Sequence, residues 1–386
     1  MAELPLHTGY SPSRWQNTTQ LMILKKAGDH DITTLRTICL FEADFNHNNK
    51  YLGKQMIKNA QIHGTLQPEQ YSVPGKRCID HVLNQRLLFD IKIYQKTSFV
   101  MSAVDLASCY DRISHPPAYL AMRSHGIPSE PIESMLSTFQ DTRFYTKTVH
   151  GISSKSFGGL QEGFTAKPNG VGQGNGAVPA IWSVTSSNMF QVLKENGHSS
   201  FISTPLSKKE LKVCGFAVVD DTDLIATSNS NNAKEAHRKM QEMIKDWDEV
   251  ARVTGGALKA NKSWCWIVEF DWNKGYWGYK NLANREDLAI YAKDKDGKIT
   301  TLKPLPPTLA QEMLGVLISP DGNDSQHKQK LIKKMTTLGE YIQCGSVNGH
   351  EAWTGLSLIA MKTLEYSIPA PTLSEKDYKD ILWPLL

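Results

Sequence analysis

Two adjacent carboxylates, Asp220 and Asp221, break the apolar run Gly215-Phe-Ala-Val-Val-Asp-Asp-Thr-Asp-Leu-Ile225. Acids held side by side repel each other unless a cation lies between them, and oxygen ligands point to a hard divalent ion, Mg²⁺ above all. An Asp pair in a turn is also what a solvated turn looks like, so the assignment needs a third acid from elsewhere. Asp105 supplies it, at the end of the buried-strand composition Ser98-Phe-Val-Met-Ser-Ala-Val104. Three such carboxylates can hold two Mg²⁺ ions, ~3.5–4 Å apart, that clamp the attacking and leaving oxygens of an in-line phosphoryl transfer. Lys26 and Arg36 flank a short turn and suit a triphosphate, the Lys as a point charge and the Arg as a planar fork. In isolation they equally suit a solvated surface. Lys262, after Asn261, can donate a proton or touch a phosphate, provided the acid cluster is real.

Positioning these residues takes a mixed α+β chain. Val213 to Val219 and Leu224 to Thr227 read as strands of a hairpin with the acids at its tip. Leu21 to Leu24 and Thr34 to Leu40 read as a second hairpin, which carries Lys26 and Arg36, behind an irregular lead-in from Met1 to Gln20 whose Trp15 packs on something later. Phe41 to Ile62 has helical spacing with a polar interruption at Asn46 to Lys50, one helix or two. Helices are also expected from Ile79 to Tyr94, Ala118 to Ser124, Ser129 onward with Ser129 as N-cap, Pro179 to Glu195 and Ala233 to Thr254. Val149 to Gly176 is glycine-rich and irregular. It lacks the Gly-Lys-Ser/Thr of a P-loop and the leading strand of a dinucleotide fingerprint. Such a run lets a base pair lie against backbone, with Gln173 the one long polar side chain there, or it is a plain surface loop.

Beyond Lys262, strands are expected at Trp264 to Phe270, Tyr276 to Tyr279 and Leu288 to Ala292, the last paired with Lys298 to Leu302 through Asp296-Gly297. After the proline-rich boundary at residues 303–307 come a strand from Met313 to Ile318 and helices at 325–343 and 351–365, with a last one near Ser374. Lys328, Lys330, Lys333 and Lys334 give the first of these helices a basic face that can track a phosphate backbone.

Composition narrows the partners without choosing one. The 386 residues carry a net charge of +4, which permits nucleic acid without demanding it. The 6 cysteines stand singly, with no Cys-x-x-Cys pair and no zinc-ligand spacing, so reduced thiols and an intracellular location are expected. No apolar run approaches the ~18 residues of a membrane span, and no signal peptide is legible, so no membrane partner is expected. The chain stops on the apolar Trp383-Pro-Leu-Leu386, as a fragment of something longer would.

In their order these segments resemble the reverse transcriptase family over nearly the whole chain. Lys26 before Ala-Gly, with Leu-Arg36-Thr-Ile downstream, is similar to the family's triphosphate-gripping hairpin. Asp105-Leu-Ala-Ser-Cys-Tyr110-Asp111 resembles its first acidic motif, Gly172-Gln173-Gly174 its template-supporting motif, and Val218-Val-Asp220-Asp221 its catalytic hairpin. Asn261-Lys262-Ser resembles the motif that bears a candidate general-acid lysine. Gly9-Tyr-Ser-Pro12, Glu42-Ala-Asp-Phe-Asn46 and Gly172-Gln-Gly-Asn-Gly176 are similar to retroelement members from microbial eukaryotes. Two departures stand out: Val218 replaces the usual Tyr or Phe, and Asn175-Gly-Ala-Val replaces an acidic-Pro-Leu-Ser sequence.

The resemblance implies a right-hand polymerase fold. Fingers would occupy residues 1–97, a palm with an antiparallel sheet residues 98–304 with an interleaved fingers segment at about 116–178, and a helical thumb residues 305–386. It implies DNA synthesis from an RNA template, with a DNA or RNA primer, dNTPs and two Mg²⁺ ions, for which Mn²⁺ can substitute. Asp105, Asp220 and Asp221 would bind metal, and Lys26, Arg36, Tyr110, Gln173 and Gly174 would form the nucleotide site. Tyr110 stands where a ribose 2′-hydroxyl would lie, which favours dNTPs over the alternative of an RNA-dependent RNA polymerase. A remnant that binds nucleic acid without polymerising is the other alternative.

Overall fold

The computed structural model describes residues 3–25, 28, 31, 35–159, 169–203, 206–207, 209–282 and 284–385. Its organising element is a five-stranded sheet with Phe99–Val104 at the centre. Asp221–Thr227 and then Gly215–Val218 lie antiparallel on one side. Trp264–Val268 lies antiparallel on the other, followed by the parallel edge strand Lys303–Leu305. The sheet is covered on both faces, and that explains the unbroken apolar composition of its centre. Val100 and Val104 join the core under the helices Val178–Glu195 and Ala233–Val253. Phe99 and Met101, one step out of phase, join the core under the helix Cys78–Gln95 with Phe89 and Trp266.

A second sheet lies toward the N-terminus. Asn17–Ile23 pairs antiparallel with Arg36–Leu40 and parallel with Arg143–Thr148, which in turn takes up the short strands Gly151–Ile152 and Phe157–Gly158. The parallel pair joins segments more than a hundred residues apart, and no local pattern announces it. Trp15 does find a later partner, with its ring 5.3 Å from that of Phe45. The polar interruption expected at Asn46 to Lys50 does not break the helix, which runs unbroken over Ala43–Ile62. Asn48 and Asn49 are buried on its inner side, so these polar residues belong to the packing. Ser129 is not an N-cap: the helix Ser129–Asp141 follows Pro128, and no side chain caps it.

The strand expected from Met313 to Ile318 is a hairpin of Gln311–Met313 and Val316–Ile318, turned at Leu314 and Gly315, both with positive φ. Past it, Ser325–Cys344, the helical stretch from Gly349 to Ser367 and Glu375–Leu382 enclose a separate small core of Leu331, Met335, Ala360, Leu364 and Ile381. The basic face expected on the first of these helices is partly neutralised. Lys328 is paired with Asp377 and Asp380, and Lys330 with Glu312, which leaves Lys333 and Lys334 exposed.

His327, buried where that helix meets the hairpin, makes this seam sensitive to acid. Its Nδ1 accepts a 3.2 Å hydrogen bond from the Leu317 amide, which a proton on Nδ1 would break. Burial first, and then the Lys330 ammonium, hold the imidazole down to about 4, against the pull of Asp324 and Glu312. The neutral ring is therefore the folded form. Its contribution is complete above the unfolded value near 6.5 and is lost as pH falls toward 4, worth about 3 kcal/mol. In urea unfolding at pH 7 and pH 4.5, His327→Gln is expected to lose less stability between the two than the wild type. Equal losses would contradict the assignment.

Candidate active site

Strand register brings the acids together. Thr222 pairs with Val104 and Trp264 with Ala103, so continuing each ladder sets Asp221 on one side of Asp105 and Lys262 on the other. The backbone of Asp105 is fixed at both ends. Its amide donates to the Ser263 hydroxyl at 3.1 Å, and its carbonyl accepts from the Lys259 amide at 2.8 Å. Asp105, Asp221 and Lys262 line one cavity of about 430 Å³. The hairpin tip is tighter than its sequence suggests: Val218 pairs directly with Asp221, which leaves Val219 and Asp220 as a two-residue turn.

Charge at this site is out of balance. Burial first, then Asp220, Asp223 and Asp105, push the Asp221 carboxyl up to about 6. Asp105 is also raised, by burial and by Asp220, while the Lys262 and Lys259 ammoniums pull it back. Solvent reaches Asp221 from the cavity and screens these interactions. Among the described residues, no three His, Cys, Asp or Glu side chains converge into a finished metal site. Mg²⁺ in nucleotidyl-transfer sites takes only one or two carboxylates and fills its other positions with water and phosphate oxygens. A set of oxygen donors in which Asp220 adds to the burial that raises Asp105 and Asp221, and that is open to the cavity, fits such an ion in the company of a nucleotide.

The structure places the remaining candidates as follows. Tyr110 is on the single helical turn Cys109–Arg112, entered through Ser108 with φ +47°. Burial first, then Asp220, raises its phenol, with Asp221 adding to the effect, so the ring lies within reach of the acid pair. Arg36 is exposed at the start of its strand. Lys26 lies outside the described residues. Its neighbour Lys25 acts electrostatically on Asp111 and on Lys259, which brings this end of the N-terminal sheet close to the Tyr110 turn.

Gln173 and Gly174 are joined to the strand of Arg36, since the Gln173 carbonyl accepts from the Cys39 amide at 2.7 Å. Gly174 has φ +122°, and a Cβ there would meet the Cys39 carbonyl at 2.2 Å, so only glycine fits. The close approach that glycine permits is thus taken up by the protein's own backbone. At the other end of the loop Val171 donates to the Tyr110 carbonyl at 2.9 Å, so one segment ties the Tyr110 turn to the Arg36 strand. Asn46 secures it, accepting from Gly176 at 2.7 Å and donating to Gly174 at 3.2 Å.

Sequence reasoning missed four contributors. Asp223 shares the strand face of Asp221, two residues away, and is buried against Gln85 at 2.6 Å and His81 at 3.2 Å. The period-2 spacing of Asp221 and Asp223 was the available signal. Lys259 is one turn from Lys262 and adds positive charge beside Asp105. The Gln311–Ile318 hairpin contributes Gln311 to Leu314 to the lining of the acid cavity, and Leu-Gly at its centre was the signal for a turn. Trp182 reaches the acid turn from the neighbouring helix, and nothing local marks it.

The family model described as reverse transcriptase (RNA-dependent DNA polymerase) matches residues 23–254, more than half of the chain. No curated protein matches it. Among solved structures it is similar to apo telomerase from Candida tropicalis, at 13% identity over 97% of this chain and 61% of that one, with a TM-score of 0.49. A form of the same telomerase truncated from its C-terminal domain gives 14% identity over 76% and 56%, with a TM-score of 0.45. Telomerase from Candida albicans in complex with a TWJ fragment of telomeric RNA gives 13% over 96% and 58%, also with 0.45. The chain spans between 56% and 61% of the length of these structures. Among the described residues no helix is long and apolar enough to cross a membrane.

Proposed function

Because the chain belongs to the reverse transcriptase (RNA-dependent DNA polymerase) family, we propose that it extends a DNA or RNA primer with dNTPs on an RNA template, as part of a retroelement. The observation that carries this is the register that sets Asp221 and Lys262 on either side of Asp105 in one cavity, with Asp220 in the adjoining turn. Asp105, Asp220 and Asp221 would hold Mg²⁺ or Mn²⁺, which when bound acidifies the primer hydroxyl and neutralises phosphate charge. Lys25 and Arg36 orient the triphosphate from the end of the N-terminal sheet, Lys26 shares that role, and Lys262, with Lys259 behind it, delivers a proton to the leaving pyrophosphate. Gln173 and Gly174 hold the segment that joins the two sides. In this assignment the N-terminal sheet serves as fingers, the central sheet as palm and the C-terminal helices as thumb. The similarity of residues 9–12, 42–46 and 172–176 to retroelement members supports the retroelement setting. Extension of a primed RNA template tests the proposal, and binding without extension under either metal would favour a non-catalytic remnant.

Tyr110 separates DNA from RNA synthesis. Its ring is packed against the core beside the acid turn, and in the resemblance to the family a ring at this position stands where a 2′-hydroxyl would lie. Tyr110→Ala is expected to raise the ratio of rNTP to dNTP incorporation by at least about tenfold, the steric cost of one misfit group. Competing incorporation on a single template measures it, and an unchanged ratio would contradict this role.

A further inference from the structure

The turn that carries Asp220 adopts a backbone conformation that its own residue type resists. Val219 has φ +54°, in the left-handed region, where a Cβ crowds the following carbonyl and costs about 1–2 kcal/mol. A β-branched side chain is a genuine outlier there, and Gly, Asn or Asp is the ordinary choice for such a position in a two-residue hairpin turn. Something outside the turn holds it. The Trp182 indole Nε1–H donates a 2.6 Å hydrogen bond to the Val219 carbonyl oxygen. Trp182 is only 1% exposed, in the first turns of the helix Val178–Glu195, so the donor is locked by its packing and cannot follow a turn that moves. The Val219 carbonyl and the Asp220 amide nitrogen belong to one planar peptide unit. Holding that oxygen therefore fixes the direction in which the Asp220 Cα leaves the turn.

We propose that Trp182 is a positioning residue, which holds the Val219–Asp220 peptide plane in its strained orientation and thereby keeps the Asp220 carboxylate beside Asp105. This rests on the polymerase function proposed above. Valine tends to leave the left-handed region, so it needs the indole; glycine enters that region freely, so the hairpin ladder alone would hold it. The strain at Val219 and the hydrogen bond from Trp182 are thus two halves of one device, and removing both costs less than removing the bond alone.

The test is a double-mutant cycle with Trp182→Phe, which keeps an aromatic ring and loses the donor, and Val219→Gly. In single-nucleotide addition Trp182→Phe is expected to lower kcat about tenfold, the effect of one lost hydrogen bond, with KM for the dNTP within about twofold. In the Val219→Gly background the same change is expected to cost less than about threefold. An equal loss in both backgrounds is what a purely packing role gives, and it would overturn the proposal. A second readout needs no metal and no turnover. In ¹⁵N-labelled protein the indole resonance that Val219→Gly perturbs is expected to exchange slowly with solvent; fast exchange, or no indole resonance that responds to Val219→Gly, would overturn the proposal. Should Trp182→Phe fail to fold, this measurement decides alone; should the wild type not polymerise, the positioning role falls with the function it rests on. If the wild type polymerises, Asp220→Asn does not, and Trp182→Phe is unaffected, the positioning role falls and the polymerase function stands.

Discussion

Asp220→Asn is expected to reduce primer extension on an RNA template by at least about 100-fold, the scale on which losing one group that stabilises transition-state charge is felt. The substitution changes almost nothing but charge. Asp220 is exposed at the end of a hairpin whose ladder closes at Val218 and Asp221, so an isosteric amide leaves the packing intact. What it removes is the charge that, after burial, raises both Asp105 and Asp221. An amide is a poorer ligand for a hard divalent ion, and with it the site loses the excess negative charge that attracts one. The unfolding midpoint and the affinity for a primed template should stay close to wild type, because neither depends on this carboxylate. Loss of extension together with loss of fold would mean that Asp220 is structural. Extension close to wild type would mean that the chemistry lies elsewhere.

Asp324→Ala is expected to cost about 3–5 kcal/mol of stability, the penalty for leaving a buried charge without its partner. Asp324 precedes the helix Ser325–Cys344 and meets Arg86 of the helix Cys78–Gln95, with Nη1 to Oδ1 at 3.1 Å. The two side chains are 6% and 8% exposed. Arg86 also donates to the Gly322 carbonyl at 2.9 Å, and the Thr372 amide donates to Asp324 at 2.7 Å, so one carboxylate ties three segments. Alanine leaves the guanidinium, in a site with little water, only the looser and mostly exposed Asp90 at 3.6 Å as an acidic partner. Arg86→Met with Asp324→Leu, which removes both charges, should cost less than Asp324→Ala alone. Urea unfolding of the three proteins measures it, and a loss below about 1 kcal/mol for Asp324→Ala would show that Arg86 finds other partners.

Much of this was legible before the structure, and the limits have physical causes. An apolar run that stops on paired acids states both the strand and its end, so Asp105 and the Asp220-Asp221 hairpin could be placed from residue types. The helices Cys78–Gln95, Val178–Glu195 and Ala233–Val253 also followed from spacing. Register was not legible. That Asp221 and Lys262 flank Asp105 depends on which residue faces which across a sheet, a matter of long-range packing. The parallel pairing of Asn17–Ile23 with Arg143–Thr148 was hidden for the same reason.

Charge misled where pairing was invisible. Lys328 and Lys330 read as a basic surface, and the structure gives them to Asp377, Asp380 and Glu312. The glycines at 172–176 read as room for a ligand, and Gly174 spends that room on Cys39. Trp182 gave no signal at all, because a buried tryptophan in a helix looks the same whether or not its N–H is needed.

Template-directed synthesis is tested by single-nucleotide addition to a primer annealed to RNA templates that differ in one base, with Mg²⁺ or Mn²⁺ and each dNTP in turn. Only the complementary dNTP is expected to be added, addition is expected to require the metal, and Asp220→Asn is expected to lower it by at least about 100-fold. Wild-type protein that binds the primed template but adds no nucleotide under either metal, or adds one without regard to the template base, would contradict it.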